Sequence, residues 1–364
     1  MTAVADLGIA FGRVAFVMLF VLNLGGLLTW VERKQSAIMQ DRIGANRASI
    51  FGLRLFGLFH PLADAIKMLT KEDFRPANAD RFLFTLAPFV SVFFSLVAFA
   101  AIPFGDVLRA GGREIPLQAI TLDVGILYVF GMLSLGVYGV MMAGWASSNN
   151  FALLGAQRAA ALMISAEIAI GASIMGVIMV YGSLNLQDIV RGQGALLGGW
   201  LPMWGIVTQP LAFVLFVTAG IAATKRIPFD TPEGESEIIG YFVEYSGMKF
   251  GMFAMADFLE TVVVAGLTTA LFLGGWQVPW LHADGFRFPW GWAVDLPHLA
   301  VVLLQVGAFV AKVSLMIFVL MLIRWTLPRF RYDQAMRLGW LGLFPLSILN
   351  IAITGLVLLA WRPA

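Results

Sequence analysis

The chain has 364 residues, of which 60% are hydrophobic and 13% are charged, with a net charge of +2 and a mean hydropathy of +0.85. A soluble globular chain is nearer half apolar and a quarter charged, so this composition excludes an ordinary soluble domain. The absence of cysteine excludes disulfides, thiolate catalysis and cysteine-bound metal clusters within the chain. The three histidines lie far apart and indicate no metal site. No G-x-G-x-x-G motif opens a strand–helix unit, so we do not expect dinucleotide binding.

Eight apolar runs follow one another, and a run of about 20 residues can cross about 30 Å of hydrocarbon as a helix. We therefore predict an all-α polytopic membrane protein of about eight transmembrane helices, in one integral membrane domain over residues 1–364. Pro202 and Pro210 interrupt the start of the fifth run, which is the weakest of the eight. The predicted spans are 11–31, 82–104, 123–145, 159–181, 206–223, 250–274, 299–323 and 339–361.

The distribution of lysine and arginine predicts how the spans are oriented. Alternate loops near 31–81, 146–158, 224–249 and 324–337 hold 17 of these residues, whereas the opposite loops and the C-terminal tail hold 5. Because cytoplasmic loops carry the excess of positive charge, the first set is predicted to be cytoplasmic and both termini to lie outside.

The first cytoplasmic loop contains a pattern typical of an amphipathic helix. Apolar residues recur there at helical spacing, charged residues occupy the other face, and Pro61 suits a first helical turn. The apolar positions are Leu58, Leu62, Ala65, Ile66 and Leu69. This helix is too short to span, and we expect it on the membrane surface or against a partner.

Four charged residues lie well inside predicted spans, away from the span ends, where a charge costs roughly 2.5–3.5 kcal/mol on insertion scales. Glu167 lies in the fourth span, Lys312 in the seventh, and Asp257 and Glu260 in the sixth. Such residues should face the protein interior or a wetted path, and they could relay protons. The alternative is that they form structural ion pairs.

The loop after the fifth span is rich in acidic residues. Five carboxylates fall within fifteen residues beside membrane helices: Asp230, Glu233, Glu235, Glu237 and Glu244. Crowded carboxylates cannot all ionise cheaply, so some should hold protons near neutral pH and provide an entrance for protons. A solvated charged loop is the alternative, although the interleaved apolar and aromatic residues favour a packed segment.

The first and last cytoplasmic loops are basic and aromatic, in residues 30–34, 42–47 and 324–333. Arginine can hydrogen-bond a carbonyl-bearing headgroup or a carboxylate of a partner. The alternative is that these residues only set topology and contact lipid phosphate.

Together these segments resemble one family. Residues 30–34, 42–47, 60–67, 71–73, 226–237, 244–247 and 324–333 match, in order and at similar spacing, motifs of the H-subunit family of NADH-quinone oxidoreductase, respiratory complex I. The chain departs from that pattern at Ala45, where the family usually has proline, and at Ala223, where it commonly has glutamate. The segment between Glu237 and Glu244 is one residue shorter than usual.

The resemblance implies a membrane subunit that forms most of a quinone-access tunnel and couples quinone reduction to proton translocation. It assigns residues of the loops to that tunnel: Glu32, Arg33, Arg42, Asp64, Ala65, Lys67, Arg226, Phe229, Asp230, Arg324 and Arg329. It assigns a second set to a proton pathway: Glu167, Glu233, Glu235, Glu237, Glu244 and Lys312. The chain alone holds no complete active site.

Quinone is implied as substrate, with NADH, FMN and iron–sulfur clusters only on partner subunits. The implied partners are the peripheral arm, including the subunit with the terminal iron–sulfur cluster, and small membrane subunits that lead to antiporter-like ones. The lipid bilayer surrounds the chain, no nucleic acid is involved, and a bacterial inner membrane is expected. The alternatives are a related membrane subunit of a hydrogenase or of a complex fed by ferredoxin or deazaflavin, a stand-alone ion transporter, and a purely structural anchor.

Overall fold

The structure is a computed structural model that describes residues 2–110, 112–234, 238 and 240–361. It is 66% helical, which confirms the all-α class. Its α-helices are α1 Thr2–Met39, α2 His60–Thr70, α3 Arg81–Ala98, α4 Gly125–Ala146, α5 Asn150–Tyr181, α6 Leu186–Gly192, α7 Gly205–Thr208, α8 Pro210–Ala223, α9 Gly247–Phe272, α10 His298–Thr326, α11 Tyr332–Arg337 and α12 Phe344–Trp361. Short 3₁₀ turns cover Leu55–Gly57 and Phe99–Ala101, and a π-helical turn, Leu338–Leu343, joins α11 to α12.

Seven helical segments in the described part of the chain are long and apolar enough to cross a bilayer, and α8 is a shorter apolar helix. Several extend well beyond the predicted spans. At 1.5 Å per residue the 38 residues of α1 measure about 57 Å, against about 30 Å of hydrocarbon. Hydropathy marks only the apolar middle of such a helix, and α1 continues through Glu32 and Arg33 as a charged extension.

The fifth predicted span is broken rather than continuous. Helices α7 and α8 meet at Gln209, whose φ of −140° and ψ of 59° are not helical. Pro210 suits the first turn of α8 because it needs no backbone N–H partner there. The Gln209 side chain compensates for the break: its Nε2 donates to Oγ1 of Thr354 over 2.9 Å, and its Oε1 accepts from Nδ2 of Asn350 over 2.9 Å. A buried amide network therefore joins the break to α12.

Strands occur only in the connections between α3 and α4, α5 and α7, and α9 and α10, among the residues described. Each connection forms a small antiparallel sheet. The strands are β1 Val107–Ala110 with β2 Arg113–Pro116, β3 Leu196–Leu197 with β4 Leu201–Pro202, and β5 Leu281–His282 with β6 Gly285–Arg287 and β7 Ala293–Asp295. All lie in loops that the charge distribution predicts to be outside.

Helix α9 is the centre of the molecule. It packs against α1, α2, α3, α8 and α10, and every residue from Leu259 to Phe272 is buried. A helix that is apolar on all sides belongs in a protein core. Glu260 lies within this buried stretch, and Asp257 lies about one turn before it and is half-buried.

The predicted amphipathic helix is confirmed as α2, with Pro61 in its first turn. It packs on α1 and α9, and Met68 lies so close to Gly251 that a side chain there would collide with its sulfur. Its other apolar side chains, including Leu62, Ile66 and Leu69, are exposed, so α2 has an uncovered apolar face.

Candidate functional site

The end of α1, the segment after α8 and the end of α10 meet at Glu32. This carboxylate is 8% exposed. Its Oε1 lies 2.6 Å from Nη1 of Arg324, and its Oε2 lies 3.4 Å from Nη1 of Arg226. The guanidinium of Arg226 also lies 4.3 Å from the ring centre of Phe258 on α9. Two arginines on one buried carboxylate leave an excess of positive charge, so the cluster can bind a further acceptor or anion.

An aromatic and acidic wall adjoins this cluster. Phe229 is buried, and its ring centre lies 5.3 Å from that of Phe330. The backbone N–H of Phe330 donates to the carbonyl of Pro228 over 2.8 Å. Arg329 donates to the backbone carbonyl of Asp230 and lies 3.8 Å from its carboxylate. The segments predicted from two distant motifs are thus in direct contact.

Two acids of the loop bind protons more tightly than usual. Burial raises the pKa of Asp230 to about 6, although Arg329 and Arg324 oppose the shift. Burial, and then repulsion from Asp257 and Asp230, raises the pKa of Glu233 to about 8. The backbone N–H of Glu233 donates to Asp230 over 3.2 Å, which holds the two acids together. Glu233 therefore carries a proton at neutral pH and can release it.

Sequence reasoning missed Lys225. This residue is 3% exposed, and its Nζ lies 3.1 Å from Oδ1 of Asp257 and 3.0 Å from Oε2 of Glu260. Burial alone would lower the pKa of Lys225, but the two carboxylates raise it above its ordinary value, so the amine stays charged. The only signal in the sequence was a lysine directly after an apolar helix, with two acids one turn apart in the next span.

Glu167 lies beyond this group, on α5. Its Oε2 accepts a hydrogen bond from Oγ of Ser134 on α4 over 2.7 Å. On the same helix a side chain at Gly136 would come within 3.9 Å of Oε1 of Glu260. A row of acids thus runs from Glu233 through α9 to α5.

Four of the predicted tunnel residues lie together outside the buried cluster. Nη2 of Arg33 lies 2.6 Å from Oδ2 of Asp64, and Nζ of Lys67 lies 3.5 Å from Oδ1 of Asp64. Because Arg33 follows Glu32 on α1, this pair joins α2 to the same end of α1. Ala65 is exposed on α2.

Two other predicted residues, Arg42 and Glu244, are not in contact with the Glu32 cluster, and two more lie outside the described part of the chain. Arg42 is exposed and bonds Gln40. Glu244 accepts from Nδ2 of Asn149 over 2.8 Å, in a surface cavity of about 370 Å³ between the ends of α4 and α5. Glu235 and Glu237 lie outside the described residues.

Lys312 has contacts typical of a helix cap. Its Nζ donates to the carbonyls of Leu273, Gly275 and Gln277 over 2.7, 3.0 and 2.6 Å, and it lies 4.3 Å from the ring centre of Trp204. These carbonyls lie at and just beyond the C-terminal end of α9, where a cation is favourable. Its predicted place in a proton pathway stays a prediction.

Comparison with known proteins identifies the family of the chain. The chain matches the family described as NADH dehydrogenase over residues 12–355. It is 44% identical over 361 residues to an H subunit of the NADH-quinone oxidoreductase of Geobacter metallireducens, with 99% of each chain covered. It is 45% identical over 349 residues to the corresponding H subunit of Thermomicrobium roseum, with 94% of each covered. An H subunit of Rhizobium meliloti is 42% identical over 358 residues, which cover 98% of this chain and 99% of the relative. The chain therefore belongs to the H-subunit family of NADH-quinone oxidoreductase, and it is a multi-pass membrane subunit of that multisubunit oxidoreductase.

Proposed function

We propose that this chain forms the membrane side of a quinone-access tunnel and couples quinone reduction to proton translocation. The observation that carries the proposal is the ion cluster of Glu32, Arg226 and Arg324, because it joins three segments far apart in sequence where membrane helices end. Arginine donates well to a quinone carbonyl or to a reduced, anionic quinone. The Phe229–Phe330 pair supplies an apolar wall for the rest of the ring.

The outer part of the tunnel is formed by the group next to the Glu32 cluster, which comprises Arg33, Asp64, Ala65 and Lys67. Arg42 lies at the edge of this outer part. Exposed apolar side chains in the first cytoplasmic loop, such as Phe51 and Phe56, provide a surface for the peripheral arm. That arm includes the subunit with the terminal iron–sulfur cluster. NADH, FMN and the clusters stay on the partners, and small membrane subunits lead from this chain to antiporter-like ones.

The coupling follows from charge. Quinone reduction takes up two protons and passes through anionic states. An added negative charge in a poorly screened cavity raises the proton affinity of nearby carboxyl groups, and Asp230 and Glu233 already have raised pKa values. A proton taken up by Asp230 removes part of the repulsion that raises the pKa of Glu233, so Glu233 releases its own proton along the row of acidic residues towards Glu167. Glu235, Glu237, Glu244 and Lys312 are proposed as further members of this pathway.

The tunnel is tested with Arg226→Gln and Arg324→Gln in the assembled oxidoreductase, in native membrane vesicles. We expect NADH-driven reduction of a short-chain quinone to fall by at least about tenfold, since a tenfold loss corresponds to only about 1.4 kcal/mol of transition-state stabilisation. NADH oxidation by an artificial acceptor that needs no quinone site should stay unchanged. Arg109→Gln is the matched control, because Arg109 pairs with Glu114 on an exposed outer hairpin.

Normal quinone reduction in both arginine variants would overturn the tunnel assignment. An equal loss of quinone reduction in Arg109→Gln would show that the loss of any arginine damages the complex. The arginine variants would then no longer support the tunnel assignment.

A further inference from the structure

Arg13 is a charged residue of a membrane helix that has no partner within the described part of the chain. It lies in α1, and it forms no ion pair or hydrogen bond with any residue that the structure describes. Its Nε is buried without an acceptor, so the guanidinium has to complete its hydrogen bonds at the two terminal nitrogens. Because an unpaired cation beside hydrocarbon is costly, we expect its partner to come from outside this chain.

The buried side of α1 shows where this guanidinium lies. Val17 and Val21 follow Arg13 at successive intervals of four residues, which puts them near the same face of the helix, and both are buried. Phe16 packs edge-on against Phe104 in the segment after α3, with ring centres 5.5 Å apart. Arg13 therefore lies at the edge of the contact between α1 and the rest of the bundle.

The length of α1 gives the depth of Arg13 in the membrane. Glu32 follows 19 residues later on the same helix, which corresponds to about 28 Å at 1.5 Å per residue. That distance is close to the thickness of the hydrocarbon core, about 30 Å. Before Arg13, Asp6 pairs with Arg113 of the β1–β2 hairpin over 2.8 Å. Arg13 thus lies where hydrocarbon meets the headgroups of the leaflet opposite the Glu32 cluster.

The surroundings of Arg13 favour a phosphate group as the missing acceptor. A guanidinium presents paired N–H groups that match the oxygens of a phosphate. The neighbouring apolar side chains Phe11, Val14 and Phe16 are exposed on α1, and they suit contact with acyl chains. Every phospholipid already carries a phosphate at this depth, whereas a carboxylate on a neighbouring helix would first have to leave water. A cation beside an apolar helix face at headgroup depth is therefore best matched by a lipid.

We propose that Arg13 forms a binding site for the phosphate group of a phospholipid, in the leaflet opposite the Glu32 cluster. The terminal nitrogens of the guanidinium donate to the phosphate oxygens, and the acyl chains lie along the exposed side chains of α1. The inference is independent of the proposed quinone tunnel and of the proposed proton pathway.

The test uses the purified oxidoreductase after its loosely bound lipid has been removed in detergent. Phosphatidylglycerol is added over a range of concentrations, and native mass spectrometry of this chain, released from the complex, measures the lipid that stays bound. Diacylglycerol with the same acyl chains is the comparison that lacks a phosphate, and inorganic phosphate is the free anion.

The variants separate charge from geometry. Arg13→Gln removes the charge, and Arg13→Lys keeps the charge without the paired donors. Arg287→Gln is the matched control, because Arg287 lies in β6, at the same end of the helices, and pairs with Asp295 over 2.8 Å.

We expect the native complex to bind phosphatidylglycerol at least about tenfold more tightly than diacylglycerol, a difference of about 1.4 kcal/mol. Arg13→Gln should lose that preference, Arg13→Lys should keep part of it, and Arg287→Gln should keep all of it. Excess inorganic phosphate should leave the lipid bound, since the acyl chains add to its affinity. The comparison of the two lipids uses the native complex, so it decides the matter even where a variant does not assemble.

Equal binding of the two lipids to the native complex, or native affinity for phosphatidylglycerol in Arg13→Gln, would overturn the inference. Displacement of the lipid by inorganic phosphate would show that a free anion is the occupant. Treatment of Arg13→Lys with a carbodiimide tests the remaining alternative. A covalent link from position 13 to a carboxylate of another subunit would show that a protein partner, and not a lipid, neutralises Arg13.

Discussion

Glu32 is the residue on which two buried or half-buried arginines depend. Replacing it with glutamine removes the countercharge of Arg226, whose side chain is only 10% exposed. Breaking a buried pair by removing one partner typically costs about 3–5 kcal/mol, because the remaining charge is left uncompensated. We therefore expect Glu32→Gln to lower the thermal midpoint of the purified complex and to reduce its assembly.

Glu114→Gln is the control for that change. Glu114 pairs with Arg109 on the surface, where both side chains are more than half exposed, and such pairs contribute little. Equal stability of Glu32→Gln and the native complex would contradict the buried cluster.

The raised pKa of Glu233 predicts a pH dependence. A carboxyl group with a pKa of about 8 is protonated at neutral pH and loses its proton as the pH rises through about 8. Activity that needs this proton should therefore decline over the same interval. Glu233→Gln cannot titrate, so we expect low pumping without that alkaline limb. A purely structural anchor predicts native pumping and an unchanged profile in this variant.

Residue types could be predicted from the sequence more easily than their partners. Glu167 and the acids of the loop were identified because charge beside apolar helices is costly. The partners of Glu32 were not, since Arg226 and Arg324 lie in segments far along the chain from it. The role of Lys225 was also missed, because a lysine at a helix end usually only marks topology.

At the scale of elements, the broken fifth span depends on Gln209. The side-chain amide of Gln209 forms hydrogen bonds with Thr354 and Asn350 within the membrane part of the structure. No water is present there to replace a lost partner. Gln209→Leu would leave Asn350 without this acceptor, and a buried unsatisfied group costs about 1–3 kcal/mol. We expect a lower thermal midpoint of the complex in detergent.

Thr85→Val is a suitable comparison for Gln209→Leu, because Thr85 is exposed on α3 and its hydroxyl donates to the carbonyl of Arg81 in the same helix. Equal thermal midpoints of the two variants would show that the hydrogen bonds of Gln209 do not stabilise the packing of α12 against the break between α7 and α8.

Hydropathy predicted the existence of the membrane helices and of α2, but not their ends or their breaks. The amino-acid composition of the last span does not predict its π-helical turn. Trp340 lies in that turn, and its indole N–H donates to Oγ of Ser165 on α5 over 3.2 Å. The helix break at Gln209 was indicated only by Pro210. Local sequence determines what is apolar, whereas contacts between helices determine where a helix stops or bulges.

At the scale of the whole molecule, the orientation can be tested because the chain has no cysteine. Single cysteines at two exposed positions, Asp284→Cys and Lys71→Cys, should react differently with a membrane-impermeant maleimide. We expect labelling of position 284 and protection of position 71 in intact cells, with both labelled after lysis. The reverse pattern in intact cells would place the termini in the cytoplasm.

The molecule as a whole has the Glu32 cluster at one end of its membrane helices and the small strands in the connections at the other end. The Glu32 cluster and the row of acidic residues that leads to α5 begin at the end with the basic loops, which is where the proposed function places the quinone site and the entry of protons. The outer sheets contain none of the proposed tunnel residues.

The most direct test of a quinone site beside Glu32 is photolabelling of the intact complex with a short-chain quinone analogue that carries a photoreactive group. Mass spectrometry of this chain should find the label within residues 29–34, 225–230 or 324–330, and excess unlabelled quinone should compete it away. Label confined to the outer loops or to other subunits, or label in these segments that resists competition, would contradict the account.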